Sequence, residues 1–178
     1  MRIISGKYKG KKLLEYNYEH IRPTSDKVKQ AIFTKLQFKI PFSRVLDLFC
    51  GTGALGIEAI SRNAKEVIFV DINRKSVDLT NKNLKAINSD ANVYNCDAER
   101  ALSLVKGKFD FIFLDPPYKS GLYEKIIQKI ASEDILNDDG IIICEHARED
   151  DFNWEPFDVL DQKDYGTISV TYLIKKEA

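Results

Sequence analysis

From residue 44 onward, short runs that are apolar at almost every position alternate with stretches of helical periodicity, and this rhythm leaves few folds open. The apolar runs cover 45–49, 67–70, 93–94, 109–114 and 141–144, and the helical stretches about 54–62, 74–87, 97–105 and 121–132. A strand with no polar face has to be covered on both sides, which is the condition of a parallel sheet wound by crossover helices. The end of the chain breaks the rhythm. Residues 157–160 and 167–174 follow one another with only a Tyr165-Gly166 turn between them, so an antiparallel hairpin is predicted on an otherwise parallel sheet. Ahead of residue 44, the first twenty-odd residues read as short strands turning at Gly6 and Gly10. Thr24-Ser25-Asp26 then offers helix-capping side chains. Val28, Ala31, Ile32, Lys35 and Leu36 follow at helical spacing, Pro41 closes the segment, and Lys27 and Lys29 are assigned to a basic helix face. No repeat or linker divides the 178 residues, which read as one domain: a basic β/helix extension over 1–43 and an α/β core over 44–178.

A net charge of zero conceals an uneven distribution. Residues 1–44 hold eleven Lys and Arg against three Asp and Glu, a net of +8 that the rest of the chain offsets. Such a split points to an anionic partner at that end, nucleic acid first, against the alternative of a merely solvated terminus. No apolar run approaches the roughly 18 residues of a membrane span, and the start of the chain has no secretory h-region, so a cytoplasmic protein without a membrane partner is expected. Cys50, Cys96 and Cys144 are odd in number, lack metal-ligand spacing and each end an apolar run, as free cysteines acting as small buried hydrophobes do. No metal site is expected.

Two motifs carry chemistry. Directly after the first strand, Gly51, Gly53 and Gly56 form G-x-G-x-x-G at a strand-to-helix junction, with Asp71 closing the second strand twenty residues after Gly51. Together with Thr52 these residues suit a dinucleotide or S-adenosylmethionine (SAM) equally. Asp47, four residues before Gly51, separates the two. A carboxylate there repels a pyrophosphate and attracts the ammonium and sulfonium of SAM, while the following helix N-terminus can receive the SAM carboxylate. The alternative is that Asp47 only caps a turn. Asp97-Ala98 after the third strand is placed to bind an adenine amino group, although Asp97 also suits a helix N-cap.

The second motif, Asp115-Pro116-Pro117-Tyr118, ends the fourth strand. Proline fixes φ and has no N–H, so the corner is stiff and presents oxygen acceptors: the Asp115 carboxylate and the carbonyls of Asp115 and Pro116. A flat nucleobase bearing an exocyclic NH₂ is its complement. Acceptors on both N–H groups favour a pyramidal, nucleophilic nitrogen and stabilise the positive charge that grows on it during methyl transfer. Tyr118 would stack on the base, worth about 1–3 kcal/mol. The alternative for four such residues is a plain turn.

With these residues in view, the chain resembles the class I SAM-dependent methyltransferases that act on exocyclic amines, and more narrowly the bacterial 16S rRNA (guanine-N2) methyltransferases of the RsmD type. The matching blocks are 2–13, 22–29, 49–56 and 115–118. The resemblance implies a seven-stranded Rossmann-like sheet, SAM as methyl donor, and a guanine in the helix 31 loop of 16S rRNA as target. It further implies a partly assembled small ribosomal subunit as the substrate, and a monomeric enzyme is expected. Arg2, Lys7, Lys9, Lys11, Arg22, Thr24, Lys27 and Lys29 would then line the RNA path. Lysine stands at 12 and 29 where arginine is usual in the family, which sets aside bidentate phosphate contacts there. The nearest rival is a DNA amino-methyltransferase acting on adenine N6 or cytosine N4, although 178 residues leave no room for a sequence-reading domain. An NAD-dependent oxidoreductase is disfavoured by Asp47, and a catalytically silent RNA-binding module has no use for the acceptor corner. Neither His20 nor His146 has a nearby second ligand or nucleophile; His146, at the end of the fifth strand near the pocket, is read as a satisfied loop residue against the alternative of a substrate contact, and Trp154 as a packing residue.

Overall fold

The computed structural model describes residues 1–16, 25–117 and 121–177. Its elements are α1 (Asp26–Leu36), β1 (Arg44–Asp47), α2 (Ala54–Ser61), β2 (Glu66–Asp71), α3 (Arg74–Ala86), β3 (Val93–Asn95), α4 (Ala98–Leu104), β4 (Phe109–Leu114), α5 (Leu122–Ser132), β5 (Leu136–Ala147), β6 (Phe157–Tyr165) and β7 (Ile168–Lys175). The strands form one seven-stranded sheet in the order β3-β2-β1-β4-β5-β7-β6. Strands β1 to β5 pair in parallel, and β7 lies antiparallel between β5 and β6. This is a Rossmann-like, doubly wound sheet. The chain enters at β1, winds outward to β3 and then crosses back to β4, so strand order reverses between β1 and β4 and a crevice opens beyond their carboxyl ends.

The apolar strands divide their residues between two cores by strict alternation. Val45, Val67 and Phe69 pack with α1, α2 and α3 on one face, while Leu46, Ile68 and Val70 pack with α4 and α5 on the other. Gly56 permits the close approach of α2 to the sheet, since a Cβ there would lie 2.2 Å from the Phe69 ring. Helix α1 starts where expected, with the Ser25 hydroxyl accepting from Val28 N at 3.2 Å.

Three expectations are corrected. Strand β5 begins at Leu136, well before 141, because Leu136 already pairs with Phe109 ahead of a bulge. The polar residues Asn137, Asp138 and Asp139 hid that first part of the strand. Among the described residues the N-terminal strands reduce to one antiparallel bridge between Arg2 and Lys12, in a loop closed by Ile3 N to Lys11 O (2.9 Å) and Gly10 N to Ile3 O (2.8 Å).

The third correction is Lys29, which lies on no basic face: it is 0% exposed. Its ammonium donates to Arg2 O at 2.6 Å and stands 3.5 Å from the buried Glu58 carboxylate, so it cannot meet an external phosphate. Burial lowers its pKa, and the neighbouring Glu58 opposes that shift. Glu58 in turn accepts from Ile4 N (2.9 Å), Ser5 N (3.0 Å) and Arg62 Nε (2.9 Å). These hydrogen bonds satisfy the buried carboxylate, and those from Ile4 and Ser5 fasten the N-terminal segment to helix α2.

Candidate active site

Four aspartates meet at the carboxyl edge around the switch point. Asp47 ends β1, Asp71 ends β2, Asp97 follows β3 and Asp115 follows β4. Parallel register sets their neighbourhood. Asp47 pairs with Phe69 on one side and Phe113 on the other, so the glycine loop leaving β1 runs between Asp71 and the Asp115-Pro116 corner.

The loop is held from below and from the side. Gly51 N donates to Asp71 Oδ2 at 2.9 Å, and Asp71 Oδ1 accepts from Asn73 N at 2.8 Å, so this carboxylate ties the loop to the β2–α3 turn. Burial raises the Asp71 pKa against the pull of these two hydrogen bonds. Asn95 Nδ2 donates to the carbonyls of Asp71 (3.0 Å) and Ile72 (2.9 Å) and fixes the same turn. From α3, the Thr80 hydroxyl donates to Gly51 O at 2.9 Å, and Asn83 Nδ2 donates to Thr52 O at 2.9 Å. Asn83 also accepts from Leu14 N (2.7 Å) and donates to Leu14 O (3.1 Å), so one buried amide joins the loop to the N-terminal extension. Sequence reasoning missed Thr80, Asn83 and Asn95. Their signal was only polar residues on the inner face of an amphipathic helix and at a strand end. Asn83→Ala is expected to cost about 1–3 kcal/mol of stability, the range for orphaned hydrogen-bonding groups, and to loosen residues 9–16. Chemical denaturation and limited proteolysis of that segment measure both effects.

Asp47 is 3% exposed, and its Oδ2 accepts from Gly56 N at 3.1 Å in the first turn of α2. Burial raises its pKa to about 7; the Gly56 hydrogen bond opposes this and the Asp71 charge adds to it. The turn-capping role foreseen as an alternative is therefore present. Yet one backbone donor does not compensate a buried carboxylate, and a cation brought to this corner would. Asp97 likewise caps, accepting from Arg100 N at 2.9 Å, while remaining exposed at the rim; Ala98 behind it is buried. Beside Asp71, Ile72 is 71% exposed and offers an apolar surface at the mouth of the crevice.

At the end of β4, Asp115 is half-buried, Pro116 buried and Pro117 exposed. Tyr118 lies outside the described residues. The Tyr123 hydroxyl, at the start of α5, sits 3.1 Å from Leu114 O and also contacts Glu145 O, clamping the ends of β4 and β5 together just before the corner. Phe152 and Trp154 pack on the Tyr123 ring, with centroids 4.7 and 5.6 Å away. His146 belongs to this packed group: it is 2% exposed, with Nδ1 2.9 Å from Ala147 O and Nε2 2.8 Å from the Thr171 hydroxyl. Its place is within β5, paired with Ser169 of β7, rather than in a loop.

Comparison with known proteins gives the family and the fold. The family model described as "Conserved hypothetical protein 95" matches residues 1–174. Ribosomal RNA small subunit methyltransferase D of Haemophilus influenzae is 33% identical over 95% of this chain and 91% of its own length. YlbH of Bacillus subtilis is 43% identical over 84% of each chain. The solved structure of Escherichia coli yhhF superposes with a TM-score of 0.89 at 30% identity, covering 99% of this chain and 98% of that one. The chain belongs to this methyltransferase family.

The basic N-terminal segment can be located on the fold. Arg2, Lys7, Lys9, Lys11, Lys12 and Lys27 are exposed. The Lys7 ammonium lies 5.1 Å from the Tyr8 ring centroid, and Lys11 donates to Ala86 O at the end of α3. Arg22, Thr24 and His20 lie outside the described residues. Among the described residues no cluster of three His, Cys, Asp or Glu side chains is arranged to hold a metal, and no helix is long and apolar enough to cross a membrane.

Proposed function

We propose that this enzyme transfers a methyl group from SAM to the exocyclic N2 of a guanine in the helix 31 loop of 16S rRNA, acting as a monomer in the cytoplasm on a partly assembled small ribosomal subunit. The observation that carries the reading is the register of β1 on β4. It brings a loop suited to a cationic donor beside a proline-stiffened acceptor corner, in a chain whose relative in Haemophilus influenzae is named a small-subunit rRNA methyltransferase.

The crevice fits SAM on its own chemistry. A buried carboxylate with a raised pKa at Asp47 gains from a nearby cation, and the Asp71 oxygens at the loop suit ribose hydroxyls. The exposed face of Ile72 and the rim carboxylate of Asp97 suit an adenine ring and its amino group. Bound there, SAM supplies an electrophilic methyl group. Gly51, Thr52, Gly53 and Ala98 provide backbone around the donor. Asp115 and the Pro116 carbonyl accept from the guanine N2 hydrogens, turn its lone pair outward and stabilise the charge that develops on nitrogen. The stiff Pro116-Pro117 backbone limits the reorganisation this requires, and Tyr118 stacks on the base. The proton released from nitrogen passes to Asp115 or to solvent.

Residues 1–43 would carry the RNA path, with Arg2, Lys7, Lys9, Lys11, Arg22, Thr24 and Lys27 along it. Replacing Lys7, Lys9 and Lys11 by Gln is expected to weaken RNA binding and to lower the slope of log K against log salt by about 0.7–0.9 for each lysine–phosphate pair removed. Titrations at several salt concentrations check this, and an unchanged slope would place those lysines in solvent only. The reading as a whole is tested by mass spectrometry of nucleosides from small-subunit rRNA incubated with enzyme and SAM. N2-methylguanosine is expected; methylation at adenine N6 or cytosine N4, or none, would overturn it.

A further inference from the structure

A second aromatic and basic surface lies at the opposite edge of the sheet. Residues 37–43 join α1 to β1 at the amino ends of the strands and carry Phe38 and Phe42, which are 90% and 83% exposed. Phe42 adopts φ +66, a left-handed conformation that is strained for a bulky residue. Its backbone is locked there: Phe42 N donates to Asn63 O at 2.8 Å, and Lys65 N donates to Ser43 O at 2.8 Å. The strained backbone costs stability and the exposed ring returns almost none, so neither feature is explained by the stability of the monomer.

Two lysines accompany these rings, next to the Arg44–Glu66 ion pair that closes the loop at the start of β1 and β2. Lys39 lies between them in sequence, and Lys65 is tied to the same loop through Ser43; both are exposed and outside every ion pair found among the described residues. From 36 to 43 there is no acidic residue. Exposed aromatic rings and exposed ammonium groups carried by one loop and the strand start it is bonded to are the chemistry that holds single-stranded nucleic acid, with bases on the rings and phosphates on the lysines.

We propose that the α1–β1 loop, with Phe38, Phe42, Lys39 and Lys65, is a second docking surface for a single-stranded segment of the RNA substrate, a strand's length away from the crevice where methyl transfer takes place. The assignment rests on the RNA-substrate reading above and extends it: one enzyme would grip its substrate at both edges of the sheet.

The test uses the full chain and a fluorescein-labelled 20-nucleotide oligouridine as probe. Phe38→Ser combined with Phe42→Gly keeps the fold secure, because glycine adopts the conformation at 42 freely. This variant is expected to bind the probe about 10- to 100-fold more weakly, with the salt slope unchanged. Lys39→Gln combined with Lys65→Gln is expected to lower the salt slope by about 1.4. Equal affinity of the Phe variant and the wild type overturns the proposal. So does a Phe variant that binds the probe normally but small ribosomal subunits poorly, since that assigns the surface to a protein partner. Transfer of labelled methyl from SAM to small-subunit rRNA by the wild type is measured separately. Its failure, with weakened probe binding by the Phe variant, removes the functional reading and leaves the RNA surface standing.

Discussion

Asp115→Asn is expected to lower kcat for methyl transfer by about 10²–10³-fold while leaving donor affinity and melting temperature close to wild type. The substitution keeps the size of the side chain and replaces one acceptor oxygen by an NH₂ donor, which meets the substrate amine donor to donor. Groups aimed at charge developing in a transition state are worth about 3–4 kcal/mol each, and this one would change from favourable to repulsive. Asp115 is half-buried beyond the end of β4, and the clamp of Tyr123 on Leu114 and Glu145 lies behind it, so the strand end is held by groups that the substitution leaves in place. Single-turnover kinetics with saturating donor, beside calorimetric donor binding, separate the two quantities. A variant with full activity would remove the carboxylate from the mechanism and leave the proline carbonyls as its basis.

Asp47→Asn is expected to act in opposite directions on stability and on donor binding. The folded protein holds Asp47 at a pKa of about 7, against an ordinary carboxylate value of 3.8, with burial as the main cause. Between those values the folded state keeps a proton that the unfolded state has released. The contribution of Asp47 is therefore fully present below about pH 4, declines as pH rises, and is lost above about pH 7. The displacement from 3.8 to about 7 corresponds to about 4 kcal/mol at most. The amide keeps an oxygen for Gly56 N and does not ionise, so the variant should lack this descent and gain on the wild type as pH increases from about 5 to about 8. Urea unfolding across that range measures it, and parallel curves would mean that Asp47 titrates normally. Donor affinity should move the other way. A cationic ligand at the corner favours the ionised carboxylate, so wild-type affinity should rise with pH up to about 7, with proton release on binding. The variant should bind more weakly and release no proton.

Much of this site was legible before the fold was known, and the reasons are local. G-x-G-x-x-G and D-P-P-Y are contiguous, and each carries its constraint in a few residues: backbone freedom at the glycines, missing N–H groups at the prolines. Strand and helix positions followed from periodicity, which depends on residues within one turn or two pleats. The first half of β5 escaped because its pairing with Phe109 is non-local and its residues are polar. Lys29 was misplaced for a related reason. Helical spacing says which side of α1 it occupies relative to its neighbours, and only the docked N-terminal segment, with Arg2 O and Glu58, makes that side an interior. Thr80 and Asn83 on α3 lie 29 and 31 residues along the chain from the loop carbonyls they hold, and their one signal, a polar residue on the inner face of an amphipathic helix, does not say what they bind.

The order of residues along the chain was thus enough to determine a doubly wound sheet, a glycine loop after its first strand and a proline-stiffened corner after its fourth, because each depends on short-range sterics and hydrogen-bonding capacity. Which carboxylates are buried, which lysines face water, and how the N-terminal segment grips the glycine loop were decided only in three dimensions. Burial and pairing are sums over neighbours that lie far apart in sequence, and only the folded chain brings them together.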